Sequence, residues 1–310
     1  MVDRSCVTGH GPRAMQHVLT LIAPPGGLPA TLPARIHDAL TPLGANAAAP
    51  DWLSEGEAVD LPFNGLAPEQ AEAAARLALD GAAVDVIAQS SEGRRKKLLI
   101  ADMDSTIVTS ETLDELAAFA GLKDRVAEIT RRSMNGEIDF ATALRERVAM
   151  LKGLDVSALE ETWKDVRLTP GAEALVRTMT ANGAHCALAS GGFTWFTGRV
   201  ARWAGFTSHH ANILEDDGQR LTGTVAEPIF DRDSKLATLK RLCAELRLTL
   251  ADSLAVGDGA NDLAMIGAAG LGVAYHAKPV VAASARVRVD HTDLRALLFA
   301  QGYRAAEFVA

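Results

Sequence analysis

The chain has 310 residues, 48% hydrophobic and 23% charged, with a formal net charge of −8. This is the make-up of a soluble globular protein, too long for most single cores. No apolar run approaches the ~18 residues of a membrane span, and the opening MVDRSCVTGHGPRAM lacks the apolar centre of a signal peptide. Cys6, Cys186 and Cys243 are scattered and form no CxxC, which argues against a disulfide framework or a zinc knuckle. A cytoplasmic protein without a membrane partner is expected. Residues 1–93 hold four basic and eleven acidic residues, so most of the negative charge lies there. Nucleic acid is therefore not expected as a partner, whereas the near-neutral remainder tolerates an anionic small molecule.

In chain order, His17–Ala23 (HVLTLIA) reads as a strand closed by Pro24-Pro25-Gly26-Gly27. Leu32–Leu43 has helical spacing, with Ile36, Leu40 and Leu43 on one stripe. An extended segment over Glu57–Phe63, an Ala-rich helix over Pro68–Leu79 and a strand over Ala83–Ala88 follow. This order resembles the ferredoxin-like arrangement of ACT-type amino-acid-sensing domains. The resemblance implies a small α+β domain over 1–93 that associates into a homodimer or senses serine. Gln89–Arg95 reads as a linker, and Arg94-Arg95-Lys96-Lys97 as its solvated end and the start of a strand.

From residue 94 to 310, apolar strands alternate with helices, the pattern of an α/β doubly wound parallel sheet. Strands are expected at Lys97–Ala101, Ala184–Ala189, Ser253–Val256 and Leu271–Ala274, with a fifth at Val287–Val289. Roughly eighty residues separate the first two, far more than a single crossover requires. Their helical pattern predicts an inserted cap at about 111–168. Asn212–Val225 reads as a hairpin turning at Asp217-Gly218. His209-His210 reads as a loop rather than a metal site, Cys186 as packed within its strand, and Trp195 and Trp203 as packing residues.

Chemistry concentrates where the strands end, which is where open parallel sheets bind ligands. The first strand runs into Asp102-Met103-Asp104-Ser105-Thr106, the second into Ser190-Gly191-Gly192, and the third into Gly257-Asp258-Gly259-Ala260-Asn261-Asp262. Singly, each is ordinary turn or capping sequence. Together they crowd Asp102, Asp104, Asp258 and Asp262 into one place, and like charges at that range repel. A divalent cation relieves the repulsion, and an oxygen-only donor set selects a hard ion, Mg²⁺. Ser190 and the two glycines suit an anion at a helix start. Lys235, early in a helix that Ser234 or Asp233 would cap, is either an exposed lysine or the neutraliser of a phosphoryl group. A carboxylate beside Mg²⁺ can attack phosphorus, and its neighbour two positions on can run the protons.

DMDST, SGG, the downstream Lys and GDGAND resemble the four motifs of the haloacid dehalogenase-type phosphatases. The order DMDSTIVTSE, EIDFATALRERV, SGGF, VGDGAND resembles the branch of that family that hydrolyses O-phospho-L-serine. The resemblance spans roughly Lys96 to Leu298. It implies a small phosphomonoester as substrate, Asp102 as nucleophile and Mg²⁺ ligand, and Asp104 as acid/base with its backbone carbonyl on the metal. It further implies Asp258 as the remaining metal ligand, Ser190 and Gly191 on phosphate, Lys235 on the phosphoryl group, and Asn261 and Asp262 in close support. In the cap it implies Glu111 on the substrate ammonium and Arg147 on its carboxylate, with Met134 and Phe140 as apolar neighbours. Phosphoryl transfer to a second alcohol, another small monoester, or a purely regulatory amino-acid-binding protein are the alternative readings.

Overall fold

The structure is a computed structural model describing residues 15–134 and 137–309. Its first part runs β1 (His17–Ile22), α1 (Leu32–Leu40), β2 (Asn46–Ala47), β3 (Asp51–Ser54), β4 (Ala58–Asn64), α2 (Pro68–Ala78) and β5 (Asp85–Ser90). These strands form one antiparallel sheet in the order β2-β4-β1-β5, with β3 also on β4. One face holds Leu19, Leu21, Val59 and Leu61, packed under Leu32, Ile36 and Leu40 of α1 and Ala71 and Ala75 of α2. The helix expected to reach Leu43 stops at Leu40 and continues as a single tight turn, Thr41–Leu43. Pro42 cannot continue the α-helical hydrogen bonding, and Leu43 is 52% exposed instead of joining the buried stripe.

The second part opens with β6 (Leu98–Ala101) and the helices α3 (Thr112–Ala118), α4 (Lys123–Met134), α5 (Phe140–Ala149), α6 (Ser157–Asp165) and α7 (Ala172–Ala181). It continues through β7 (His185–Phe193), α8 (Thr194–Ala204), β8 (Ser208–Asn212), β9 (Leu214–Asp216), β10 (Leu221–Val225) and α9 (Arg232–Glu245). The chain then forms β11 (Ser253–Gly257), α10 (Leu263–Ala268), β12 (Leu271–Tyr275), α11 (Pro279–Ser284), β13 (Val287–Val289) and α12 (Ala296–Ala300). Six strands make a parallel sheet in the order β13-β12-β11-β6-β7-β8.

β6 is apolar throughout because both its faces are covered. Leu99 and Ala101 meet α7 and α12 through Val176, Met179 and Phe299. Leu98 and Ile100 meet Leu239 and Leu242 of α9 and Met265 of α10. Each fully buried Leu or Ile of this kind contributes about 1.5–3 kcal/mol from burial alone. With no polar position to spare along β6, the carboxylates can appear only where the strand leaves the sheet.

Two expectations need correction here. His209 and His210 lie in β8, the sixth strand of the sheet, and not in a loop. As an edge strand with the sequence SHHAN it has one pairing partner, β7, and no buried apolar run to announce it. The basic run before β6 is a solvated linker only at Arg95 and Lys97, which are exposed, while Arg94 and Lys96 are partly buried. Arg94 donates to Asp60 at 2.6 Å, Arg95 donates to Glu307 at 2.8 Å and lies over the Tyr303 ring, and Lys96 donates to the Ala251 carbonyl. Arg94 thereby ties this segment to β4 of the N-terminal sheet, while Arg95 and Lys96 hold it to the second part. The expected hairpin is present as β9 and β10, with Asp217 accepting from the Arg220 amide. Cys186 and Cys243 are free and buried, while Cys6 lies outside the described residues. Trp163 and Trp203 meet edge to face, and Trp195 packs on Phe196 and under Arg199. No helix among the described residues is long and apolar enough to cross a membrane.

Candidate active site

Asp102 follows the last residue of β6 and is fixed there by its amide, which donates to the Val256 carbonyl of β11. Its Oδ1 accepts from the Met103 amide at 2.8 Å and lies 2.7 Å from Lys235 Nζ. Among the described residues no hydrogen bond reaches Oδ2. The chain then turns tightly through Met103–Ile107, with Ser105 at φ +54°, a conformation uncommon for a residue with a side chain. Ser105 is held there by its amide on the Ser110 carbonyl and its hydroxyl on Glu111 Oε1 at 2.7 Å. The turn brings Asp104 back beside Asp102, with Oδ1 accepting from the Thr112 amide and Oδ2 from the Ser190 hydroxyl. Burial, and then the charge of Asp102, push the Asp104 carboxyl up to about 6. Burial, and then Asp104, push Glu111 up to about 8.

At the end of β7, Ser190 Oγ accepts from the Gly192 amide at 2.9 Å, which curls the segment before α8. Gly191 lies under the ring of Phe140, and a Cβ at Gly192 would stand 3.0 Å from Asp104 Oδ2. A side chain at 191 would have to displace that ring, and one at 192 would press on the Asp104 carboxylate and the Ser190 hydroxyl. At the end of β11, Gly259 donates to Asp262 Oδ2, and a Cβ on Gly257 would strike the Asp262 carboxylate. Asp262 and Lys235 are 0% and 1% exposed, and Lys235 Nζ lies 2.7 Å from Asp262 Oδ1 as well as from Asp102. Burial alone would lower the Lys235 ammonium, but Asp102 and Asp262 outweigh it and hold it above its ordinary value. Burial, and then Asp102, raise Asp262 to about 8. Lys235 sits in the first turn of α9, whose N-cap is Asp231. Neither Ser234 nor Asp233 caps that helix, because Asp231 accepts from the Ser234 amide and hydroxyl.

Asp102, Asp104, Glu111, Arg147, Ser190, Gly191, Phe140 and Asn261 line one cavity of about 340 Å³. Asp258 and Asp262 lie beside Asp102, where oxygens of the three carboxylates come within 4.8 Å of one another. A set of buried oxygen donors with no His or Cys fits a hard divalent ion. Burial raises Asp258 against the pull of Lys278, whose Nζ lies 3.1 Å from its Oδ2. Sequence reasoning missed Lys278, although it follows β12 in Tyr275-His276-Ala277-Lys278 and the strand-end rule would have flagged it. It also missed Thr106, which donates to Asp258 Oδ1 at 3.4 Å. The side chain of Met134 lies outside the described residues.

A six-stranded parallel sheet with a helical insertion after its first motif strand, and acids converging at the strand ends, is the arrangement of a hydrolase class already suggested by the motifs. Residues 99–267 match the haloacid dehalogenase-like hydrolase family, and the chain belongs to it. It is 42% identical over 230 residues to a phosphoserine phosphatase of Streptomyces coelicolor, a match covering 74% of this chain and 56% of that one. The chain thus spans little more than half the length of that relative. A solved structure described as a phospho-aspartyl intermediate analogue of phosphoserine phosphatase is 37% identical, with a TM-score of 0.62, covering 66% of this chain and 97% of that one. The crystal structure of a probable phosphoserine phosphatase from Vibrio cholerae, in unliganded form, is 29% identical with a TM-score of 0.75. That likeness covers 94% of this chain and 88% of the other, so it takes in the N-terminal sheet as well.

Proposed function

We propose that the chain is a Mg²⁺-dependent phosphoserine phosphatase that hydrolyses O-phospho-L-serine to L-serine and phosphate, the final step of serine synthesis, in the cytoplasm. The observation that carries this reading is one cavity shared by the Asp102–Asp104 pair, by the Glu111 carboxyl group and by the Arg147 guanidinium. A guanidinium fork suits a carboxylate and a glutamate suits an ammonium. A ligand with phosphate, ammonium and carboxylate groups therefore has a counterpart for each. The likeness to the intermediate analogue and to the Streptomyces enzyme supports the same chemistry.

In this reading Asp102 attacks phosphorus, forming an O–P bond as the bond from phosphorus to the serine oxygen breaks. Asp104, held against Thr112 and Ser190, gives its proton to the leaving oxygen. Asp104 then takes a proton from the water that attacks the aspartyl-phosphate, and phosphate leaves with Asp102 restored. Ser190 and the Gly191 backbone cradle the phosphoryl oxygens, Lys235 balances their charge, and Asn261 lines the same wall. Asp102, Asp258 and the Asp104 backbone carbonyl would hold Mg²⁺, with Asp262 in close support. When bound, the ion offsets the crowded carboxylates and polarises a phosphate oxygen. Residues 1–93 are read as an ACT-like unit for self-association or serine sensing, 94–310 as the phosphatase, and 111–168 as its cap.

The test is Mg²⁺-dependent phosphate release from phosphoserine, phosphothreonine, phosphoethanolamine and 3-phosphoglycerate. Phosphoethanolamine lacks the carboxylate for Arg147, and 3-phosphoglycerate lacks the ammonium for Glu111. Strong release from phosphoserine with weak release from these two is expected. Equal release from all four would remove the specificity argument, and no release from any would remove the hydrolytic one.

A further inference from the structure

The cap buries a relay of three side chains, one from each of three helices. Arg147 of α5, 6% exposed, donates from Nε to the Ala143 carbonyl at 3.2 Å and from Nη1 to Thr130 Oγ1 at 2.9 Å. Thr130 of α4 stands 2.7 Å from Asp114 Oδ1 of α3 and 3.1 Å from the Val126 carbonyl. A hydroxyl has one hydrogen to donate, and the shorter, charge-assisted contact to the buried Asp114 carboxylate takes it. Its lone pair meanwhile accepts from Arg147. Asp114 and Arg147 therefore make no direct ion pair among the described residues, and Thr130 separates them.

We propose that Thr130 is a positioning residue for substrate specificity, anchoring Arg147 while keeping its guanidinium from closing onto Asp114. The inference rests on Arg147 being the site for a substrate carboxylate. Arg147 Nη2 has no protein acceptor among the described residues, and Thr130 and Arg147 both line the cavity. A guanidinium directly paired with Asp114 would have its fork occupied and its charge neutralised before any ligand arrived. With the hydroxyl between them, Asp114 still offsets the buried positive charge that Arg147 would otherwise leave unbalanced. Nη2 remains available, and its direction is fixed by two bonds on the other nitrogens. The sequence positions 114, 130 and 147 give no hint of this, because the contact exists only once α3, α4 and α5 pack together.

The experiment compares the full-length wild type with Thr130→Val and Thr130→Ser on phosphoserine and phosphoethanolamine. Losing one hydrogen bond to a charged group, the valine variant is expected to raise KM for phosphoserine about 10- to 100-fold and to change kcat/KM for phosphoethanolamine by less than about 3-fold. The serine variant keeps the hydroxyl and is expected to behave as wild type on both. Should Thr130→Val fail to fold, Thr130→Ala, which also lacks the hydroxyl and keeps Asp114, is measured in its place with the same rise in phosphoserine KM expected. A valine variant with equal losses on both substrates, or with none, overturns the role of Thr130 alone. A serine variant as impaired as the variant lacking the hydroxyl overturns it too. A wild type that treats both substrates alike overturns the carboxylate reading of Arg147, and this inference with it.

Discussion

Phe140, the first residue of α5, lays its ring on the backbone of Gly191 so closely that a Cβ at 191 would lie 2.7 Å from Cζ and 3.1 Å from Cε2. One apolar contact thus seats the cap on the strand end that carries Ser190. Gly191→Ala is expected to push the ring away and loosen the cavity, lowering kcat/KM by about 10- to 100-fold if the added strain is in the usual range for overpacking. Phe140→Ala in that background removes the obstacle and should recover part of the loss. A double-mutant cycle on kcat/KM checks this, and additive losses would mean that the contact does not govern activity.

Lys235 neutralises two buried carboxylates, and its removal leaves them facing each other. Lys235→Met is expected to cost about 3–5 kcal/mol of stability in chelator, the usual penalty for breaking a buried charge pair from one side. Mg²⁺ should return part of it in the variant. For the wild type, free Mg²⁺ at a hundred times its Kd should add about 2.7 kcal/mol. Urea denaturation with EDTA and with Mg²⁺ measures both effects, and curves insensitive to the ion would contradict the metal site.

Asp85 of β5 is buried in a nest of donors from the segment after β13. It accepts from the amides of Asp290, His291 and Thr292 and from the Thr292 hydroxyl at 2.6 Å. Asp85→Ala orphans several buried donors at once and is expected to cost about 2–4 kcal/mol. Arg304→Ala breaks an exposed pair with Asp51 across the same junction and should cost less than about 1 kcal/mol. Chemical denaturation of the two variants side by side gives the comparison, and equal costs would refute the buried nest as the stronger link.

What the sequence made legible follows from burial and periodicity. β6, β7, β11 and β12 carry apolar runs because helices cover both faces, and their motifs are contiguous, so strand and site could be read together. β8 escaped because an edge strand needs no apolar run, and β2 and β3 because two- and four-residue strands leave no period to read. Asp233 and Ser234 are as good capping types as Asp231, and only the chain path selects Asp231 as the cap of α9. The Asp114–Thr130–Arg147 relay is set by the packing of three helices and carried by no local motif, whereas Lys278 stands just past the end of β12, where the strand-end rule applies.

The proposed hydrolysis stands on Asp102 carrying the phosphoryl group. The direct measurement is acid-quenched labelling of wild type and Asp102→Asn with ³²P-phosphoserine in Mg²⁺, followed by peptide mapping. Acid-stable label is expected on the wild-type peptide containing Asp102, and none on a variant that melts as a folded protein. Label that persists on Asp102→Asn, or that maps to another peptide in the wild type, would contradict it.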